Sequence, residues 1–186
     1  MTDWTISACG RAHLGEIADL VNAAYRGEDG VAGWTSEIGM VDGRRTTSSA
    51  LEEDLVRSTG VSIFALRDAK DLLACVRFQL ATGSRGEPVC HIGMLAVRPR
   101  AQDRGLGRAL LSHAEAAGQA AGAQTARMTV VSVRESLIEW YERQGYRRTG
   151  EREPFPYDDG HFGAPLRLDL EFVVLEKHLG GRPTGT

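Results

Sequence analysis

Apolar and polar positions along this chain fall into short alternating runs and longer helical stripes. The run WTISACG alternates and stops at Gly10, which predicts a first strand over residues 4–9. From Ala12 onward, Leu14, Ile17, Ala18, Leu20, Val21 and Ala24 recur at helical spacing, and that helix is expected to end near Arg26 or Gly27. Residues 27–47 are glycine-rich and aperiodic, so they read as a long loop of the kind that often carries function. ALEEDLV predicts a second helix over 48–57, capped by Ser48 or Ser49.

Val61, Ile63 and Ala65, beside Phe64 and Leu66, form a buried-strand pattern that turns at Lys70–Asp71 into LLACVRFQLA, its hairpin partner. EPVCHIGMLAV (87–97) is a further strand, ended by Arg98-Pro99, where proline disfavours continued pairing. Leu106, Leu110, Ala114, Ala117 and Ala121 trace the buried stripe of a long helix that stops near Gly122. Residues 127–133 are β-rich, 136–144 make a short amphipathic helix closed by Gly145, and YRRTGE is a candidate strand. A second long loop spans 153–165, and LRLDLEFVVLEK (166–177) predicts the last strand. The expected fold is α/β. It has a mixed, mostly antiparallel central sheet of about seven strands with helices on both faces. One domain is expected over residues 1–178, followed by a flexible tail at 179–186.

Composition narrows the classes. Of 186 residues, 42% are apolar and 25% charged, which are ordinary globular values. A net charge of −3 argues against a general nucleic-acid binder. Cys9, Cys75 and Cys90 fit no metal or disulfide spacing and lie in apolar runs, so they read as buried thiols of a reducing cytosol. With no secretory leader and no apolar run near the ~18 residues of a membrane span, a cytoplasmic location is expected and no membrane partner.

One stretch asks for chemistry. LAVRPRAQDRGLGRALL (95–111) hands a strand over to a helix through Gly105 and Gly107, with Arg98, Arg100, Arg104 and Arg108 nearby. The start of a helix presents unpaired N–H groups and a partial positive charge, and bare glycine backbone lets a phosphate approach them. By themselves the glycines also fit a tight turn that needs room. A dinucleotide fingerprint would need glycine where Leu110 stands, and a P-loop would need a Gly-Lys-Ser/Thr triplet that is absent.

The fuller pattern is Q-x-x-G-x-G at Gln102, Gly105 and Gly107, and WYERQGY follows at 140–146. Together they resemble the acetyl-CoA-binding signature and the late helix-to-strand passage of the GNAT superfamily of N-acetyltransferases. The resemblance covers most of residues 4–176. NAAYRG, GWTSE and FGAPLRLDLEFVVLEK are similar to a bacterial subgroup of general GNAT proteins.

The resemblance implies the GNAT fold and direct transfer of acetyl from acetyl-CoA to the amine of a small molecule or peptide. Gln102, Asp103, Arg104, Gly105, Leu106, Gly107, Arg108 and Ala109 would hold the pyrophosphate through their backbone. Leu95, Ala96 and Val97 would pair with the pantetheine arm as an added strand does. Tyr141 matches the tyrosine that donates a proton to the departing sulfur. The family's carboxylate base usually stands eleven residues before the motif glutamine, and here that position is His91. Glu37 and a chain of waters are the other candidate bases.

The acceptor side is expected from the two long loops. Trp34, Thr35 and Glu37 lie in the first; Phe155, Tyr157, Asp158, Asp159 and His161 lie in the second. Aromatics with acids suit a small cation. No metal spacing is present, and a homodimer is open by analogy with the superfamily. A non-catalytic acyl-CoA-binding module and a nucleotide-binding domain are the competing readings.

Overall fold

The computed structural model describes residues 4–27, 33–69, 71–158 and 163–180. Within them the chain runs β1 (Thr5–Ala8), α1 (Leu14–Arg26), β2 (Val41–Asp42), α2 (Ser48–Arg57), β3 (Val61–Arg67), β4 (Leu72–Thr82) and β5 (Pro88–Val97). It continues through α3 (Leu106–Ala120), β6 (Thr125–Val131), α4 (Glu135–Arg143), β7 (Arg147–Pro154), β8 (Ala164–Pro165) and β9 (Glu171–His178).

Seven strands make one sheet in the order β1-β3-β4-β5-β6-β9-β7, antiparallel throughout except for the β5–β6 pair. Strand side chains alternate between the two faces, so each face needs its own cover. Leu14, Ile17, Leu20 and Val21 of α1 pack with Ile63, Ala65, Cys75 and Ala96 on one face. Leu106, Leu110, Leu111 and Ala114 of α3 pack with Val76, Cys90, Ile92, Met128 and Leu175 on the other, joined by Ile138 and Tyr141 of α4. Each leucine so buried contributes roughly 1.5–3 kcal/mol. The approach of α3 to β5 depends on Gly118, where an added Cβ would stand 2.5 Å from the Cys90 sulfur. The mixed seven-stranded sheet with helices on both faces is the one expected. Among the described residues no helix is long and apolar enough to cross a membrane.

Several local expectations change. The cap of α2 is Thr47, whose hydroxyl accepts the Ala50 N–H at 3.1 Å; Ser48 and Ser49 are already helical. The last strand starts at Glu171, not at 166. The alternation LRLDL imitates a strand, yet Arg167 and Asp169 pair with each other and Leu168 is 93% exposed. β7 runs on to Pro154, and Leu179 donates its N–H to the Gln124 carbonyl, so packed chain passes the expected boundary at 178. Residues 181–186 lie outside the described residues. The two long loops are joined: β2 and β8 form a two-stranded antiparallel ladder, Val41 opposite Pro165.

One departure from regularity makes room for a site. Parallel pairing of β5 with β6 covers only Val89–His91 and Thr125–Arg127. Beyond that point β6 continues beside β9, while β5 carries a bulge between Gly93 and Ala96, with Met94 at φ +50°. Such a bulge bends and twists its strand. The sheet therefore parts along its middle.

Candidate active site

From the parted strand the chain passes a 3₁₀ turn at Pro99–Ala101 and enters α3 through two left-handed residues, Asp103 (φ +62°) and Gly105 (φ +74°). Glycine takes that conformation at Gly105 without the Cβ penalty. Among the described residues no side chain caps the start of α3, so its first N–H groups keep the pairing capacity that a helix start always has. Among the described residues nothing lies within 4 Å of an added Cβ at Gly105, and at Gly107 only the Val97 methyl does, at 3.6 Å, an ordinary contact. Crowding by the chain's own atoms therefore does not explain Gly107. The bare backbone faces a cleft of about 450 Å³ bordered by Leu95, Val97, Gln102, Arg108, Trp140 and Tyr141. Uncapped amides, open space above glycine and an unpaired strand edge fit a diphosphate with an amide-bearing arm.

Gln102 does something the motif alone did not disclose. Its Nε2 donates to the Val97 carbonyl at 3.2 Å, and its Oε1 accepts the Trp34 N–H at 3.1 Å. The side chain is spent on tying the strand end to the first loop. Gly33 permits this approach, since a Cβ there would stand 2.5 Å from Nε2.

A second cavity, of about 660 Å³, opens on the other side of the parted strands. Gly93, Met94, Tyr25, Glu37 and Arg134 border it. Tyr141 and Leu137 border both cavities. Helical spacing puts Leu137, Ile138 and Tyr141 on the buried side of α4, and that stripe is what turns the phenol inward. The ring stands edge-on to Trp140 and Tyr146, with centroids 5.0 and 5.9 Å away. Among the described residues nothing hydrogen-bonds the Tyr141 hydroxyl. Burial pushes this phenol well above its ordinary range, Tyr25 adds to the effect, and the Arg134 charge opposes it. Tyr141 is therefore protonated at neutral pH. Tyr25, raised to about 12 mainly by burial, is protonated as well, and its hydroxyl lies 3.5 Å from the Leu95 carbonyl.

The remaining candidates separate. Glu37 is 8% exposed, borders the larger cavity with Tyr141, and pairs with Arg26 at 2.6 Å. His91 is half-buried on β5 in register with Gln79 and Arg127, and it borders neither cavity. Burial and the charges of Arg127 and Arg77 push its imidazole below the ordinary range, against Glu153 and Glu176, so it is neutral at pH 7. Trp34 and Thr35, expected on the acceptor side, border the smaller cleft instead. Trp34 stands edge-on to Trp140 at 5.1 Å, and the Thr35 hydroxyl donates to the Ala24 carbonyl. The Tyr157 hydroxyl accepts the Leu170 N–H at 2.7 Å, and the residue borders a separate concavity beside β2 and β8. Asp159 and His161 lie outside the described residues.

Sequence reasoning missed Arg134. It is 6% exposed, and its Nη1 and Nη2 donate to the carbonyls of Thr35 and Trp34, each at 2.6 Å. An arginine just before a helix looks solvated in sequence. Only the fold brings the distant loop onto it.

The chain belongs to the acetyltransferase (GNAT) family, whose profile matches residues 18–146. It is thus an acyltransferase of the kind that uses acetyl-CoA. Solved structures share the fold over nearly the whole length. The ribosomal-protein-S18-alanine N-acetyltransferase of Escherichia coli is 16% identical at a TM-score of 0.66, with 98% of each chain covered. YncA of Salmonella typhimurium, solved with its cofactor acetyl-CoA, is 16% identical at 0.65, covering 99% of this chain and 98% of that one. An N-acetyltransferase from Staphylococcus aureus Mu50 is 14% identical at 0.69, covering 96% and 100%. At such identities the likeness is one of fold. In a comparison with curated proteins, none matches this sequence.

Proposed function

We propose that this chain transfers the acetyl group of acetyl-CoA directly to a primary amine of a small molecule or peptide. The observation that carries the reading is that Tyr141 borders both the glycine cleft and the larger cavity, with its hydroxyl bonded by none of the described residues. Acetyl-CoA supplies a thioester. The backbone of Gln102–Ala109 holds its diphosphate, and the strand edge at Leu95–Val97 aligns its amide-bearing arm.

In the larger cavity the acceptor amine gives up a proton and forms the new C–N bond as the C–S bond breaks. The departing sulfur takes its proton from Tyr141. Glu37, which borders the same cavity, is the candidate to accept the amine's proton, and His91, which borders neither cavity, would have to act through intervening groups. Buried, unpaired Cys75 and Cys90 suit a reducing cytoplasm as the place of work.

The test is thiol release from acetyl-CoA across a panel of amines, with Tyr141→Phe beside the parent protein. The variant should lose about 100-fold in kcat, in line with general acid catalysis, and bind CoA almost as well. Full activity in Tyr141→Phe would remove the tyrosine from the mechanism. Tight CoA binding without turnover of any amine would favour a non-catalytic acyl-CoA-binding module.

A further inference from the structure

Gly93 stands inside β5, a strand in the middle of the sheet, where a glycine packs nothing and weakens the strand. The chain's own structure gives no reason for it. The left-handed position of the bulge falls on Met94, at φ +50°, and not on Gly93. Crowding is absent too: among the described residues nothing lies within 4 Å of an added Cβ at Gly93, whereas at Gly33 or Gly118 one would collide.

What a side chain at 93 would occupy is the larger cavity. Ile92 packs on the α3 side of the sheet, so by alternation position 93 points to the other side. Its partner across β4 is Arg77, which borders that cavity with it. Asp54 of α2 holds Arg77 through bonds of 2.5 and 2.8 Å from its Nε and Nη2, so the guanidinium is anchored beside the open floor. Counting on from the His91–Arg127 pair puts Thr129 of β6 level with Gly93. Thr129 is exposed although β6 runs through the sheet interior, so the floor is open on that side as well. A glycine that leaves a strand bare at a cavity marks close approach by a ligand.

We infer that Gly93 is a specificity-determining residue of the transfer: the acceptor lies against its bare backbone, and the missing side chain admits a primary amine carried on a bulky group. This rests on the acetyl-transfer reading above. An acceptor of a few atoms would not need the room. Gly93 does not border the glycine cleft, so acetyl-CoA is held independently of it.

The experiment compares the parent with Gly93→Ala and Gly93→Val, using ethylamine, butylamine, benzylamine and a lysine-containing tripeptide at saturating acetyl-CoA. The parent should use the two bulky amines best. Gly93→Val should raise KM for them about tenfold, the scale of a misfit in a substrate pocket, and Gly93→Ala by less. KM for acetyl-CoA and the melting shift it produces should stay near the parent values. Gly93→Ala should melt no lower than the parent, since its Cβ meets open space. Alkylation of Gly93→Cys by iodoacetamide, located by mass spectrometry, reads the opening without turnover, and position 93 should react faster than the buried Cys75 and Cys90.

Unchanged KM values in both variants, or a parent that prefers ethylamine, overturn this inference and leave acetyl transfer standing. So does a loss that follows the acyl group, with propionyl-CoA penalised and bulky amines spared. A lower melting temperature in Gly93→Ala, or no alkylation at position 93, overturns it as well. No turnover of any amine by the parent overturns both readings.

Discussion

Gln102 holds Trp34 by its main chain: the tryptophan N–H donates to the glutamine Oε1 at 3.1 Å. The other end of the same amide donates to Val97 at 3.2 Å. One side chain thereby locks the end of β5 and the first loop together at the rim of the glycine cleft. Gln102→Ala should cost about 1–2 kcal/mol of stability for two lost bonds, and raise KM for acetyl-CoA severalfold. Thermal denaturation and steady-state kinetics check the two parts. Gly33→Ala should reproduce the kinetic part at smaller cost to stability, because its Cβ displaces only the tip of a flexible side chain.

Gly105 and Gly107 should respond in opposite ways to alanine. Gly105→Ala places a side chain at φ +74° and should destabilise the protein by about 1–2 kcal/mol. At Gly107, inside the first turn of α3, alanine is the better helix former by about 1 kcal/mol and meets no clash. Gly107→Ala should therefore raise the melting temperature of the ligand-free protein and weaken the shift produced by acetyl-CoA. Melting curves with and without acetyl-CoA separate the two effects.

Packing of α3 on the sheet sets a third expectation. Gly118→Ala drives a Cβ to within 2.5 Å of the Cys90 sulfur and 2.9 Å of its Cβ. The cost of such overpacking is about 1–3 kcal/mol, read by urea denaturation. In a Cys90→Ala background the sulfur is gone, and the penalty of Gly118→Ala should fall.

Asp54 sets an acid limit on stability. Its hydrogen bonds from Arg77 hold the carboxyl below the usual range, burial opposes this, and Ser58 helps. A carboxyl lowered by folding stabilises the fold fully above its unfolded value near 4, and the contribution is lost as pH falls through the folded value. Asp54→Asn should be less stable than the parent at pH 7, and the gap should close below about pH 4. Urea midpoints measured from pH 7 to pH 3 test this, and a gap independent of pH would contradict it.

What could be read in sequence was what local periodicity encodes. The stripe from Leu106 to Ala117 marked α3, the Gly105–Gly107 pair marked its start, and the spacing of Leu137 and Tyr141 marked the buried side of α4. Relations between distant segments were not legible. LRLDL has a strand's alternation, but among the described residues its only backbone–backbone bond is from Leu166 to the Met40 carbonyl, and no strand forms there. Arg134 meets Trp34 and Thr35 across a hundred residues, with no local mark of burial. Trp34 and Thr35 had chemistry that suited an acceptor, and the fold turned them toward the glycine cleft instead. The pairing of Glu37 with Arg26 and of Asp54 with Arg77 was equally invisible.

The short ladder of Val41–Asp42 on Ala164–Pro165 has a consequence for anyone who would retarget this protein. It staples together two stretches that lie more than a hundred residues apart in the chain. Lengthening or grafting one of them alone would pull its partner out of line. A change of specificity by loop exchange would have to transplant both halves at once.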